Sequence, residues 1–179
     1  LYTDGEGRPG VVTASQIQGK AVSFNNLNDT NAAFELAAEF TNKPTCVIVK
    51  HANPCGVAEA EDLETAYKRA LSCDKESAFG GIIAFNQSLD SKTANELIKV
   101  FAEVVIAPKI TPEAVTILGK NKNLRVFTTG KMPDPTAANV SVLPLASGYL
   151  CQSRDNTLLN SITVVSKRSP TESEMHDLK

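Results

Sequence analysis

The chain has 179 residues and a net charge of −2, and its 42% hydrophobic and 21% charged content is typical of one sizeable α/β domain or two small ones. No basic stripe indicates a nucleic acid partner, and no basic amphipathic face or apolar run of roughly 20 residues indicates a membrane. The opening residues lack the pattern of a signal peptide, and cysteines interpreted as free thiols predict a cytoplasmic protein.

Helices and strands are predicted to alternate at short intervals after residues 1–27, which read as loops and short extended pieces. The first helix has Asn28 or Asp29 as its N-cap, and the last has Thr111 as N-cap with Pro112 in its first turn. Apolar residues at helical spacing predict helices over residues 28–40, 61–73, 91–102 and 111–121. Short apolar runs predict buried strands over residues 45–50, 80–86, 103–108 and 124–129.

This alternation predicts an α/β fold, a three-layer α/β/α arrangement with a mostly parallel mixed sheet. A Pro-containing loop over residues 130–141 follows, and then two further strands over residues 142–155 and 160–168, antiparallel or at an edge of the sheet. Residues 1–179 are predicted to form a single domain.

The residues at the two ends indicate that this sequence is a fragment of a longer chain. The first residue is Leu1 instead of Met, and a helix-start signal stands close to Lys179. In that signal Thr171 and Glu174 have the spacing of a capping box.

Lys50 and His51 are the strongest candidates for chemistry. They follow the predicted strand over residues 45–50, and ligands of open α/β sheets gather at the carboxyl ends of parallel strands. A histidine there can transfer protons near neutral pH, and a neighbouring lysine can stabilise an oxyanion. Pro54 and Gly56 are predicted to fix a tight turn after the pair. The alternative is an exposed Lys-His pair in a loop.

The same stretch was compared with the motif of the zinc nucleobase deaminases, His-x-Glu followed by Pro-Cys-x-x-Cys. Asn53 occupies the glutamate position, and no second cysteine follows Cys55 at the required distance. His51 and Cys55 alone do not make a zinc site, and no metal is predicted. Cys55 is interpreted as a packing residue, and the chain's cysteines as buried free thiols of a reducing cytosol: Cys46, Cys55, Cys73 and Cys151.

Three further segments carry polar or glycine-rich patterns. In residues 77–81, Ser-Ala-Phe-Gly-Gly precedes a buried strand, which indicates either a close approach to a ligand or a tight structural loop. Glu103 begins another strand, as a substrate contact or as a solvated end charge. Asn25 and Asn26 are either amide contacts or a plain turn. His176, the second histidine, is predicted to be solvated.

Five stretches of this sequence, in their order, resemble the transformylase part of the AICAR transformylase/IMP cyclohydrolase family. They are QGKAVSFNNLNDTNAA (18–33), VKHANPCGVA (49–58), SAFGGIIAFN (77–86), VVIAP (104–108) and VVSKRSPTESEM (164–175). The resemblance covers essentially the whole chain, and the Lys-His and Ser-Ala-Phe-Gly-Gly motifs are distinctive jointly.

The resemblance implies a fold like that of cytidine deaminase, without its zinc. It implies transfer of a formyl group from the co-substrate 10-formyltetrahydrofolate to the 5-amino group of the AICAR nucleotide, in an enzyme that is also an IMP cyclohydrolase. It also implies a homodimer with active sites at the subunit interface. Some family members hold a potassium ion, whose ligands are expected beyond Lys179.

Carried over by position, Lys50 and His51 match the catalytic pair of the family. Asn26, Phe79 and Gly80 match positions that line the AICAR pocket. Glu103 matches an acidic position of the nucleotide or folate site, and Pro108 follows at the exit of that strand. The resemblance thus implies these substrate-binding positions: Asn26, Phe79, Gly80, Glu103 and Pro108.

One geometric difficulty stands against this assignment. If every strand is parallel, Phe79, Gly80 and Glu103 lie at the opposite end of the sheet from His51. Either one strand runs antiparallel, or the site is assembled across a dimer.

The sequence is also much shorter than the transformylase part of the family. A cyclohydrolase domain, an arginine expected before Leu1 and a second transformylase subdomain expected after Lys179 are absent from the sequence. Residues 1–179 are therefore expected to be the first transformylase subdomain, with little or no activity alone. The alternatives are a nucleotide-binding module without catalysis and a zinc-free deaminase relative with a structural role.

Overall fold

A computed structural model describes residues 3, 5, 7–157 and 161–178. Contacts within the chain divide it into two compact units, Leu1–Asp134 and Pro135–Lys179. Whether residues 1–179 act as one domain stays a prediction, and each unit is described by itself.

The first unit contains six strands and five helices among the described residues. The strands are β1 (Ser15–Gln18), β2 (Thr45–Lys50), β3 (Asn53–Glu59), β4 (Gly81–Phe85), β5 (Ala102–Ala107) and β6 (Arg125–Thr128). The helices are α1 (Phe24–Ala38), α2 (Leu63–Cys73), α3 (Lys75–Ala78), α4 (Ser91–Leu97) and α5 (Pro112–Leu118). All the helices and strands predicted between residues 28 and 129 are therefore present, with shifted ends, and β1, β3 and α3 are additional.

The six strands form one sheet in the order β1-β6-β5-β4-β2-β3. Its centre is parallel, because β4 pairs with β5 and β5 with β6 in the same direction. Strand β2 runs antiparallel to both β4 and β3, and β1 runs antiparallel to β6. The predicted α/β fold with a mixed sheet is confirmed.

Alternate residues of the strands pack into two apolar layers, one on each face of the sheet. In β2, Val47 and Val49 face the layer that contains Phe34 of α1. Cys46 and Ile48 face the other layer, to which α2, α4 and α5 contribute. Each large apolar side chain buried in this way contributes roughly 1.5–3 kcal/mol to folding. The three-layer α/β/α arrangement follows from this two-sided burial.

Helix α1 begins earlier than the sequence pattern predicts, and the proposed N-caps Asn28 and Asp29 are wrong. Ser23 is the N-cap, and its hydroxyl accepts a hydrogen bond from the Asn26 amide while the Asn26 side chain accepts one from the Ser23 amide. This reciprocal capping box satisfies two backbone donors of the first turn. At α5, the predicted cap Thr111 followed by Pro112 is confirmed.

The predicted tight turn at Pro54 and Gly56 is also wrong, because both residues lie within β3. Pro54 is tolerated there because β3 is an edge strand, where a missing backbone donor costs little. Gly56 is required by packing, since a Cβ atom at this position would lie 2.0 Å from the carbonyl oxygen of Ala70 in α2. The turn itself falls at His51 and Ala52.

The second unit contains a hairpin of β7 (Val140–Leu145) and β8 (Gly148–Ser153), and helix α6 (Glu172–Asp177). The single strand predicted over residues 142–155 is wrong, because the chain reverses between Leu145 and Gly148. A strand predicted over 160–168 is absent from its described part, residues 161–168, and residue 160 lies outside the described residues.

The predicted capping box of α6 is confirmed, with Thr171 as N-cap and Glu174 as its partner. Arg168 donates two hydrogen bonds to the Glu174 carboxylate, at 2.8 and 3.0 Å. This guanidinium, together with the Thr171 amide, lowers the pKa of Glu174 to about 2.

All four cysteines have free thiols, as predicted, but only Cys46 is fully buried. Cys55 is half-buried, whereas Cys73 and Cys151 are exposed, so their predicted burial is wrong. Cys73 is the last residue of α2, and Cys151 lies in the exposed strand β8. Within the described part of the chain, no helix combines the length and the apolar character that crossing a bilayer requires.

Candidate active site

The direction of β2 brings the carboxyl end of that strand beside the amino ends of β4 and β5. Val49 pairs with Ile82, and on the other side of β4, Gly81 pairs with Ala102. The geometric difficulty raised by an all-parallel sheet is therefore resolved within one chain. The end of the sheet where β2 finishes and β4 and β5 begin is called the Lys-His end.

Lys50 reaches directly from β2 to the loop before β4. Its Nζ donates a hydrogen bond to the Phe79 carbonyl oxygen at 2.9 Å. The Phe79 ring is 59% exposed and packs against Phe101, with ring centroids 5.2 Å apart. Gly80 has a φ of 72°, which favours glycine, and its amide donates to the Phe101 carbonyl at 2.8 Å. Three predicted site residues, Lys50, Phe79 and Gly80, thus lie together.

His51 lies in a turn held by a carboxylate. His51 and Ala52 have φ values of 55° and 58°, in the left-handed region that costs a non-glycine residue roughly 1–2 kcal/mol. Their amides donate to Oδ2 and Oδ1 of Asp29, each at 3.0 Å. Hydrogen bonds to a charged group contribute roughly 1.5–3 kcal/mol, so the two bonds offset the cost of the turn.

The imidazole of His51 is not tied to the protein. The residue is exposed, and none of the described residues forms a hydrogen bond with its ring. The structure's contacts hold the backbone of His51 and leave the ring available to a ligand.

Asn26 and Glu103 form a second contact beside this turn. Asn26 is 7% exposed, and its Nδ2 donates to Glu103 Oε2 at 2.6 Å. Its Oδ1 accepts from the Ser23 hydroxyl at 3.0 Å. Arg125 of β6 lies 4.0 Å from the same carboxylate, with its side chain 12% exposed. Glu103 therefore joins α1 to the start of β5.

These contacts close into a ring around the Lys-His end. Starting from the turn, it passes from Asp29 along α1 to Asn26, across to Glu103, and through the β4–β5 pairing back to Phe79 and Lys50. Six of the seven residues predicted for the site belong to it: Asn26, Lys50, His51, Phe79, Gly80 and Glu103.

Hydrogen bonds also hold the carboxylate of Asp74, whose charge interacts with that of Lys50. Asp74, the N-cap of α3, accepts from the Ser77 hydroxyl at 2.6 Å and from the Ser77 amide at 2.9 Å. These bonds, and to a smaller extent the Lys50 ammonium, lower the pKa of Asp74. A carboxylate that stays ionised therefore accompanies the Lys50 ammonium at neutral pH.

Pro108 is the predicted site residue that the structure does not bring to this end. It follows β5 at the end opposite to Glu103, about 16 Å away along an extended strand. Its carbonyl accepts from the Gly130 amide at 2.9 Å.

Cys55 lies in β3, and its thiol is 3.5 Å from the Ile48 carbonyl oxygen. Burial raises the pKa of this thiol, which disfavours a nucleophilic thiolate. In the described part of the chain, no group of three His, Cys, Asp or Glu side chains is placed to share a metal ion.

Sequence reasoning missed Asp29 and Arg125. Asp29 was taken for a helix cap, although it lies three residues after Asn26 on the same face of α1. One signal was available in the sequence. Asp29 is a charged residue inside a helix that is already capped by Ser23, which indicates a partner outside the helix. Arg125 at the start of β6 gave no signal of its own, because only strand pairing brings it near Glu103.

The arrangement is suited to proton transfer and to stabilising negative charge. It places an exposed imidazole next to an ammonium group, with an aromatic ring and a carboxylate nearby. Histidine side chains exchange protons near neutral pH, and a lysine ammonium stabilises an oxyanion. These are the requirements of acyl transfer to an amine.

The chain as a whole was matched to known proteins by family and by structure. The family model described as AICARFT/IMPCHase bienzyme matches residues 1–179. Among solved structures, Acinetobacter baumannii RibD, form 2, is similar with a TM-score of 0.40 and 18% identity, over 59% of this chain and 34% of that one.

Curated relatives match the chain along its whole length. The bifunctional purine biosynthesis protein PurH of Bradyrhizobium diazoefficiens is 55% identical over 183 residues, and that of Rhizobium rhizogenes is 53% identical. Each alignment covers 100% of this chain and 34% of the relative, so the chain spans about a third of the length of these relatives. With the family model matched from the first residue to the last, the chain belongs to the AICARFT/IMPCHase bienzyme family.

Proposed function

We propose that this chain forms part of the active site of a formyltransferase of purine biosynthesis, acting on the AICAR nucleotide. The formyl donor is 10-formyltetrahydrofolate, and the full-length protein is also an IMP cyclohydrolase. The observation that carries the proposal is the ring of contacts at the Lys-His end, which gathers Lys50, His51, Phe79, Gly80 and Glu103 in a family member.

In this reaction the 5-amino group of AICAR attacks the formyl carbon, and a carbon–nitrogen bond forms. The carbonyl oxygen becomes negatively charged in the tetrahedral intermediate, and the Lys50 ammonium stabilises it. The bond from the formyl carbon to the folate nitrogen then breaks. His51 takes the proton that leaves the attacking amine, or delivers the proton that reaches the folate nitrogen.

The remaining residues of the ring bind substrate. The exposed Phe79 ring offers a flat apolar surface for a heterocycle, and Gly80 allows the ligand to approach the backbone closely. Glu103 accepts hydrogen bonds from a polar substrate, and Asn26 orients that carboxylate. Pro108, at the far end of β5, is assigned to the site by the family resemblance alone, and its contribution to binding is expected to be the smallest.

The wider assignment extends beyond these residues. We propose that residues 1–179 are the first subdomain of the transformylase part and that the full-length protein is a cytoplasmic homodimer with sites at the subunit interface. Neither zinc, nucleic acid nor a membrane takes part. The same proposal includes a potassium ion in the full-length protein, with ligands expected after Lys179.

The test is turnover by the full-length gene product of AICAR and 10-formyltetrahydrofolate, together with calorimetric titration of AICAR. We expect His51→Ala to retain AICAR binding and to lose transfer by about 10²–10⁴-fold. His176→Ala is the matched control, because His176 is the chain's other histidine and is exposed on α6, and it is expected to leave transfer unchanged.

Two outcomes contradict the proposal. If the wild-type protein binds AICAR but transfers no formyl group, the chain is a nucleotide-binding module without catalysis. If it neither binds AICAR nor transfers the group, the pocket assignment is wrong as well.

A further inference from the structure

Asp29 makes two contacts that the helix carrying it does not need. Helix α1 is capped by Ser23, six residues earlier, and aspartate inside a helix is less favourable than most residues. Both carboxylate oxygens of Asp29 are used outside the helix, on the amides of His51 and Ala52 at 3.0 Å each. The side chain therefore serves the Lys-His turn.

The turn needs such a partner because two successive non-glycine residues adopt the left-handed conformation. Their amides converge on one carboxylate, which fixes the two peptide planes relative to α1. The direction of the Cα–Cβ bond of His51 follows from those planes. Holding the backbone in this way aims the imidazole, although none of the described residues forms a hydrogen bond with the ring itself.

Helix α1 also fixes the other side of the site. Asn26, one turn before Asp29 and on the same helix face, donates to Glu103 at 2.6 Å. The two contacts are made by one rigid element, so α1 sets the position of the Lys-His turn relative to the Glu103 carboxylate.

We propose that Asp29 is a positioning residue for the proton-transferring histidine, acting through the backbone of His51 and Ala52. This inference rests on the proposed formyl transfer. Asp29 touches no substrate in this role, and it does not exchange protons with His51.

The first experiment compares Asp29→Ala with the wild-type full-length gene product. We expect kcat to fall about 10–100-fold, because misplacing a reacting group by about 1 Å costs up to about 10²-fold. The KM for AICAR is expected to stay within about threefold, because the binding residues are unchanged. Asn31→Ala, at an exposed position two residues later on α1, is the matched control and leaves kcat unchanged.

A rescue variant separates positioning from a general effect on folding. Glycine adopts positive φ without the steric cost of a side chain, so Ala52→Gly relieves the turn without restoring the carboxylate. We expect the double variant Asp29→Ala/Ala52→Gly to recover part of the kcat lost by Asp29→Ala. If Asp29→Ala does not fold, Asp29→Asn replaces it. That variant keeps one acceptor oxygen, and a smaller loss of kcat is expected.

Amide hydrogen exchange gives a readout that does not depend on activity. The amides of His51 and Ala52 are expected to exchange faster in Asp29→Ala than in the wild type, and those of β4 to keep their rates. If the wild type shows no formyl transfer, the proposed function fails, and the exchange rates alone decide whether the carboxylate holds the turn.

Two results overturn the positioning role. One is a kcat of Asp29→Ala within about twofold of the wild type. The other is a loss of kcat that accompanies a lowered melting temperature and that Ala52→Gly does not recover, which would assign Asp29 to general stability.

Discussion

The two ends of the central sheet differ in how their polar groups are used. At the Lys-His end, the turn at His51 and Ala52 adopts positive φ, and the imidazole and the Phe79 ring are exposed. At the opposite end, Asn86 follows β4, and its side chain forms hydrogen bonds to the backbone of neighbouring segments. Its Oδ1 accepts from the Thr45 amide at 2.8 Å, and its Nδ2 donates to the carbonyls of Phe40 and Lys43 at 2.7 and 2.8 Å.

This difference separates residues that stabilise the fold from residues that remain available to a ligand. At the far end the side-chain hydrogen bonds of Asn86 go to the backbone. They contribute to stability, and they leave the Asn86 side chain unavailable to a ligand. At the Lys-His end, backbone groups are held by Asp29 and Lys50 while an exposed ring remains available. Substitutions at matched positions of the two ends are therefore expected to affect different measurements.

Among the substitutions that compare the two ends of the sheet, the largest effect is expected from Lys50→Met, which removes the ammonium group and its hydrogen bond to Phe79. We expect kcat for formyl transfer by the full-length gene product to fall about 10²–10³-fold, because the charge that stabilises the oxyanion is lost. The measurement is steady-state transfer at saturating AICAR and folate.

The matched control for this variant is Lys109→Met, an exposed lysine at the far end of the same sheet. It is expected to keep the wild-type kcat. Equal losses from both substitutions would mean that the general positive charge of the sheet ends, and not the position of Lys50, supports the reaction.

The far end is expected to respond in stability. Asn86→Ala removes three hydrogen bonds and leaves backbone groups of Thr45, Phe40 and Lys43 without this partner. We expect a loss of about 2–4 kcal/mol in the free energy of unfolding, measured by urea denaturation.

The kcat of the Asn86→Ala variant is expected to stay unchanged where it remains folded. Asn95→Ala serves as its control, because Asn95 is exposed and makes one local hydrogen bond in α4. A loss of kcat in Asn86→Ala without any loss of stability would contradict the division between the two ends.

A pair of glycines sharpens the comparison further. Gly80 at the Lys-His end and Gly130 at the far end have φ values of 72° and 80°. Alanine at either position is expected to lower the free energy of unfolding by about 1–2 kcal/mol, because of the left-handed backbone. Only Gly80→Ala is expected to raise the KM for AICAR, since a Cβ there would lie 3.4 Å from the Phe101 ring and beside the proposed AICAR pocket.

The smallest effect is expected from Pro108→Ala. Its position at the opposite end of β5 from Glu103 predicts changes in kcat and KM of less than about twofold. A larger rise in the KM for AICAR or folate would support the contact expected from the family resemblance, and would show that the substrate extends to the far end or that a partner subunit approaches there.

Local patterns in the sequence were sufficient for most elements of the first unit. Helical spacing in residues 61–73 and the apolar run in residues 45–50 reflect side chains that must be buried whatever their neighbours are. The cap Thr111 and the capping box at Thr171 depend only on adjacent residues, and both are present. The start of α1 was misjudged because two competing polar residues, Asn28 and Asp29, follow the true cap.

Edge and exposed elements were less predictable. Strand β3 contains Pro54 and Gly56, which usually indicate a turn, and it is stable because one edge pairs with β2 while Gly56 packs closely on α2. The hairpin of β7 and β8 was taken for one strand because its apolar residues continue across the reversal. In both cases the pairing of two strands in a hairpin outweighed the preference of the individual residues.

The sequence by itself determined the α/β class, the main helices and strands and, through its motifs, the residue types of the site. Only the tertiary structure decided that Lys50 and His51 lie at the same end of the sheet as Phe79, Gly80 and Glu103. A buried apolar run has the same pattern whichever way the strand runs, so the direction of β2 is not encoded locally. That direction is set by its pairing with β3 and β4 and by the packing of α1, whose Asp29 holds the turn.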